Sequence, residues 1–114
     1  MSGAISASIG DDFYCNEVLN GRTSVDVVAE TQHVLAFHHT RPFWPTHIVV
    51  IPKQHVRSLL EIDAPVLVEL MVIIQQIART VTAEHGACFV LPNIGEYQHS
   101  KHLHWHVAFG ERIR

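Results

Sequence analysis

The 114-residue sequence predicts a single α+β domain, a sheet with one long helix across one face. Three observations predict it. Short Val- and Ile-rich segments lie on both sides of one long stretch with helical apolar spacing. That stretch has its own start and stop signals. Apolar residues make up 47% of the chain, enough for a core without disulfide staples.

The first ten residues, "MSGAISASIG", have no charged n-region and no apolar h-region, so no secretory signal is expected. They are expected to form a disordered tail (1–10) ahead of one domain (11–114). Residues 11–20, "DDFYCNEVLN", predict a short helix closed by Gly21. "SVDVVAE" and "HVLAFHH" predict two strands separated by Thr31 and Gln32. In "HTRPFWPTH", Pro42 and Pro45 forbid regular ladder pairing, so a structured loop is expected. "HIVVIPK" follows, and its unbroken Ile48-Val49-Val50-Ile51 implies burial on both faces, as in a central strand.

Asp63-Ala64-Pro65 is a helix start, with Asp as N-cap and Pro in the first turn. Leu67, Leu70, Met71, Ile74, Ile77, Ala78 and Val81 then recur at helical spacing, and His85-Gly86 closes the helix. "ACFVLPN" and "KHLHWHVAF" predict the last two strands. Val66, Val68, Val72 and Ile73 lie off the core stripe, leaving the first half of the helix apolar almost all round. Burial under a neighbouring loop explains this; so does the helix of a second copy in a symmetric dimer.

The bulk numbers exclude some partners. Net charge is −3 with eight Lys plus Arg, so no broad basic surface serves a nucleic acid polymer. No membrane span is expected, because Glu69 interrupts the apolar run at 66–74 and Gln75-Gln76 follow it. Cys15 and Cys88 form no framework pattern, which predicts a reduced, cytoplasmic protein.

The densest chemistry lies in "KHLHWHVAFG". Alternate residues of a strand share a face. His102, His104 and His106 should therefore line one side, with Leu103, Trp105 and Val107 anchoring the other. Single histidines of this kind are usually hydrogen-bonded sheet residues; three on one face ask for a function. A metal site is one reading, although no Asp or Glu stands near to balance a divalent charge. Nucleophilic attack on phosphorus is the other: the middle imidazole attacks, and its neighbours orient it and neutralise phosphate charge.

"HLHWHVA" resembles the His-x-His-x-His signature of the histidine triad (HIT) family, in its nucleoside phosphoramidase-like branch. "AFHHTRPFWPTHIVVIPKQH" resembles that family's loop-strand segment, and "NIGEYQHSKHLHWH" its Asn-x-Gly … Gln … triad segment. The matches run from about Phe13 to Gly110. The resemblance implies about five antiparallel strands with one long helix, and a homodimer. It implies a nucleotide hydrolase or transferase that cleaves nucleoside 5′-monophosphate derivatives, purine ones foremost, at the α-phosphate. A nucleotidyl-histidine intermediate is implied, and no cofactor is required for catalysis.

Carried over by position, His104 is the nucleophile, His106 contacts the α-phosphate, His102 supports the site by hydrogen bonding, and His47 stands behind the nucleophile. Asn93 and Gln98 approach the phosphates, and Phe43 and Trp44 are candidates for stacking on the base. The chain departs from the pattern at three places, one of them an Asn93-to-His102 loop shorter than in the better-known nucleoside phosphoramidases. His39, followed by Thr40, stands where an acidic residue often binds the ribose hydroxyls. His99, followed by Ser100, stands where Ser or Thr often assists the leaving group. A dinucleoside polyphosphate hydrolase and a nucleotide-binding regulatory protein with little turnover are the alternatives. Relatives with structural zinc hold it at positions occupied here by Asp12, Cys15, His55 and His102. An occupied site and a vestigial one both fit that set, so no metal ligand is assigned.

Overall fold

The computed structural model describes residues 14–98 and 100–114. The expected tail at 1–10, Asp12 and His99 lie outside the described residues. Five strands form one antiparallel sheet: β1 (Val27–Glu30), β2 (Val34–His38), β3 (Thr46–Pro52), β4 (Phe89–Pro92) and β5 (Trp105–Phe109). Their order is β1-β2-β3-β5-β4, with one helix, α1 (Ala64–His85), between β3 and β4 in the chain.

β3 is the central strand, as its unbroken apolar run requires, and Ile48, Val49, Val50 and Ile51 are all buried. Alternation divides the sheet into two cores. On one side Val34, Ala36, Ile48, Val50, Leu103, Trp105 and Val107 pack against Leu70, Ile73, Ile74, Ile77 and Val81 of α1. On the other, Leu35, Phe37, Val49 and Ile51 pack against Tyr14 and Val18. Each large aliphatic side chain so buried contributes about 1.5–3 kcal/mol. Tyr14–Val18 make a single π-type turn, closed by Leu19 N–H to the Tyr14 carbonyl at 2.7 Å. Of the expected helix at 11–20, this turn is the described part.

Four expectations need adjusting. The core stripe of α1 contains Ile73, which is 5% exposed, while Met71 is 38% exposed and faces outward. Positions 70, 73, 74, 77 and 81 follow the helical period more closely than the stripe drawn through Met71. Asp63 occupies the N-cap, but its side chain makes no capping bond; its carbonyl accepts the Leu67 N–H at 3.0 Å. β1 starts three residues later than "SVDVVAE" suggested, and its pairing with β2 is irregular between Val27 and Ala29. β5 starts at Trp105 rather than near Lys101. Continuing its register would set Leu103 opposite Pro52, which has no N–H to give. Leu103 N–H bonds the Val56 carbonyl at 2.7 Å instead.

By length and composition α1 is long and apolar enough to cross a membrane. Here one side of it is committed to the sheet, and Glu69 to the β1–β2 connection. The Glu69 carboxylate accepts bonds from the Thr31 hydroxyl and from His33 N–H and Nδ1. Those bonds, Thr31 first, hold its pKa down at about 2. At its other end α1 stops at Gly86, whose φ of 88° lets its N–H reach the Thr82 carbonyl at 2.7 Å.

Candidate active site

The residues off the helix side of β3 and β5 meet above the second core. His106 and His104 project there, opposite Trp105 and Val107. The alternation persists through residues 102–104 although the ladder has ended, because Leu103 stays anchored among the helix-side residues. His47, His102, His104 and His106 are all buried.

Backbone groups define the tautomers of His47, His102 and His104, and the His47 ring defines that of His106. The Phe43 N–H donates to His47 Nδ1 at 3.0 Å, so the proton of His47 sits on Nε2. His47 Nε2–H then donates to His106 Nδ1 at 2.7 Å, which leaves the His106 proton on Nε2. His104 Nδ1–H donates to the His102 carbonyl at 2.8 Å, so the His104 lone pair is on Nε2. His102 Nε2–H donates to the Pro52 carbonyl at 2.8 Å, so its lone pair is on Nδ1. Adjacent on one strand end are thus an imidazole with a lone pair (His104) and one with a donor (His106), their rings 5.0 Å apart. That is the pairing a nucleophile and a phosphate contact need.

Electrostatics keep His47 neutral. His47 is 2% exposed, and its pKa is lowered to about 3 by burial first, then by His39, His106 and His104. His39 stacks on His47 at 4.3 Å and its pKa is also lowered, by burial first, then because a second positive charge is disfavoured beside His104 and Arg114.

A cavity of about 620 Å³ opens beside these rings. His104, His106, His39, Thr40, Asn93 and Ser100 line it, with Phe43 and Trp44 from the Pro42–Pro45 loop. Its size suits a nucleotide-sized ligand. His47 stands behind His106 rather than in the wall. Gln98 is buried outside the wall, where its side-chain amide donates to the Arg57 and Ser100 carbonyls at 2.7 and 3.0 Å. It shapes the loop that carries Ser100.

Sequence reasoning did not single out Tyr14, Arg41 or Arg112, which also line the cavity. Tyr14 packs its ring 5.2 Å from His104 and 5.8 Å from His102; burial raises its pKa, so it remains a neutral phenol. Its aromatic type in a short helical segment was the available signal. Nothing local marks Arg112, because the C-terminal segment reaches the site only by folding back. Ile113 N–H donates to the Phe43 carbonyl at 2.8 Å, and Arg114 Nε–H to Pro42 at 2.7 Å.

His102 faces away from the cavity. Its Nδ1 lies 3.2 Å from Cys15 Sγ, and His55 Nδ1 lies 3.7 Å from the same sulfur. The three donor atoms fall within 4.8 Å of one another. Sulfur and imidazole donors at such separations fit the edges of a zinc tetrahedron. The Pro52 carbonyl supplies the outer bond that orients a metal-bound histidine. The fourth expected ligand, Asp12, lies outside the described residues.

The model of the HIT domain matches residues 12–112. A 13.2 kDa HIT-like protein of Azospirillum brasilense is 35% identical over 84% of this chain and 84% of its own length. A histidine triad protein of Clostridium difficile, solved crystallographically, superimposes with a TM-score of 0.74 at 32% identity, covering 91% of this chain and 94% of the other. A zinc-bound histidine triad family protein of Mycobacterium smegmatis gives 0.76 at 25% identity, covering 85% and 73%.

Proposed function

The chain belongs to the HIT domain family, and on that premise we propose that it cleaves nucleoside 5′-monophosphate derivatives, phosphoramidates foremost, at the α-phosphate through a nucleotidyl-histidine intermediate. One observation carries the reading: the His102 carbonyl leaves His104 with a lone pair on Nε2 and the His47 ring leaves His106 with a donor on Nε2, side by side at a nucleotide-sized cavity.

In the first step His104 Nε2 attacks the α-phosphorus, and a P–N bond to the ring forms. The bond from phosphorus to the leaving amine breaks, and the amine takes up a proton as it departs. Ser100, in the cavity wall, or His99 supplies it. Charge building on the phosphoryl oxygens meets His106 Nε2–H, worth most in a water-poor site. In the second step water attacks phosphorus and gives a proton back to the group that protonated the amine, the P–N bond to the ring breaks to release the neutral imidazole, and the nucleotide leaves. His47 holds the His106 tautomer, and the His102 carbonyl holds that of His104. The base, a purine by preference, lies against Phe43 and Trp44, with Asn93, His39 and Thr40 near the phosphate and sugar.

Zinc, when bound at Cys15, His55 and His102, ties the N-terminal turn to the end of β3 and takes no part in the chemistry. A second copy of the chain covers the outer face of α1, where Val68 is 61% and Val72 46% exposed, so the working form is a homodimer. The two thiols suit a reducing, cytoplasmic setting.

His104→Ala tests the reading. Turnover of a radiolabelled nucleoside phosphoramidate should vanish, and with it the label trapped on acid-quenched protein. Nucleotide affinity should stay within about tenfold, ~1.4 kcal/mol. Near-wild-type turnover by that variant would remove His104 as nucleophile.

A further inference from the structure

We propose that the segment following β5, residues 110–114, is a positioning element for the histidine row. Through the Phe43 peptide group it holds His47, and through His47 it holds His106 in the tautomer that offers Nε2–H to the ligand. The effect on turnover rests on the nucleotide reading above and deepens it; the effect on the rings does not depend on that reading.

The Phe43 peptide is bonded at both ends. Its N–H donates to His47 Nδ1 at 3.0 Å, and its carbonyl accepts the Ile113 N–H at 2.8 Å. Beside it, the Pro42 carbonyl accepts Arg114 Nε–H at 2.7 Å. The Arg112 guanidinium lies 5.2 Å over the Phe43 ring and 6.0 Å from that of Trp44. Three consecutive residues therefore grip the loop that supplies the donor to His47. The approach is close: φ at Gly110 is 102°, and a Cβ there would lie 2.9 Å from the Pro45 ring. Pro42 and Pro45 have no N–H, so the loop has little ladder pairing of its own to fix the Phe43 peptide. Ile113 is 56% exposed, so the segment adds little to the core. What it supplies is direction.

That direction decides a protonation pattern. A neutral imidazole carries its one proton on either nitrogen. The Phe43 N–H selects between them by occupying the Nδ1 lone pair of His47, which leaves the proton on Nε2 to be donated to His106 Nδ1 at 2.7 Å. With the Phe43 N–H displaced, His47 is free to carry its proton on Nδ1, and its Nε2 becomes an acceptor. His106 then keeps the bond only by donating from Nδ1, and its Nε2 turns a lone pair towards the ligand. An N–H there stabilises charge on a phosphoryl oxygen, whereas a lone pair repels it. One hydrogen bond thus sets the polarity of the row from Phe43 to the phosphate contact.

Ile113→Pro removes the N–H that the Phe43 carbonyl accepts, and Ile113→Ala keeps it. Ring 15N signals of histidine-labelled full-length protein at pH 7.5, assigned through single His→Gln variants, report the tautomers. In wild type and Ile113→Ala, Nδ1 of His47 and of His106 should be unprotonated and Nε2 protonated. In Ile113→Pro both rings should shift towards the opposite tautomer. Arg114→Ala removes the neighbouring bond to Pro42 and should shift them the same way; it decides the question if Ile113→Pro does not fold. On a nucleoside phosphoramidate, kcat of Ile113→Pro should fall about tenfold with KM within about twofold, short of the ~10²–10³ for losing such a donor outright. A segment that only stabilises the fold would lower Tm and leave the ring signals of the folded protein as they were, and that result overturns the inference. If the rings shift as stated but wild type cleaves no phosphoramidate, the positioning role stands and the cleavage reading falls.

Discussion

Acid should unfold this protein partly through one ring, His47. In the folded chain its pKa is about 3, because burial and three neighbouring histidines oppose a charge there. In the unfolded chain the same imidazole titrates near ~6.5. Between those values the unfolded state binds a proton that the folded state does not. Stability therefore rises with pH across this window, is fully present above ~6.5, and is lost as the pH falls towards about 3. Each pH unit corresponds to ~1.36 kcal/mol, so acidification from ~6.5 to ~5 removes about 2 kcal/mol through His47 alone. For a domain of this size that is roughly 8 °C in Tm. His47→Gln is the informative variant, since its amide can still donate towards His106 Nδ1 but does not titrate. Urea unfolding followed by tryptophan fluorescence at pH 7.5, 6.5, 5.5 and 5 gives the slope for each protein. The variant should lose about 2 kcal/mol less than wild type over that range. Parallel slopes would mean that His47 is not the buried neutral ring described.

Other outcomes follow from the same geometry. Val68→Glu or Val72→Glu sets a charge on the apolar outer face of α1, and light scattering should show a dimer giving way to monomer or aggregate; a wild-type monomer at micromolar concentration would remove the premise. Gly110→Ala should destabilise by roughly 1–3 kcal/mol, because φ is 102° and the new Cβ would lie 2.9 Å from the Pro45 ring; unchanged thermal melting would contradict this. With a chelator, phosphoramidate turnover should persist in folded protein while Tm falls if zinc holds Cys15, His55 and His102 together. Turnover lost from folded protein and restored by zinc would instead make the metal catalytic.

The periodic features were legible in the sequence because they depend on local chemistry. An unbroken Ile-Val-Val-Ile run has no polar face to offer solvent, so β3 had to be central. Gly86 reaches a left-handed φ cheaply, so α1 had to stop there. The side-chain period of two set His102, His104 and His106 on one side, with Leu103 and Trp105 opposite, and this held even where the ladder had ended. Register and rotation were less legible. Met71 and Ile73 are both apolar and differ in burial only through the angle at which α1 meets the sheet.

Tertiary structure decided what His102 and His106 can do. Whether an imidazole offers a lone pair or a proton depends on the group facing its other nitrogen; for His104 and His47 that group is a backbone group two or four residues away, whereas for His102 and His106 it comes from far along the chain. Pro52 faces His102, fifty residues away, and His47 joins the N–H of Phe43 to His106, fifty-nine residues on. The cavity wall has the same origin. Arg41 and Arg112 are ordinary surface residues in sequence, and both line it because the Ile113 N–H and the Arg114 side chain return the C-terminal segment to the Phe43 and Pro42 carbonyls. Residue type and spacing determine which elements form, whereas hydrogen bonds between segments far apart in the chain determine the protonation of the site and the charge around it.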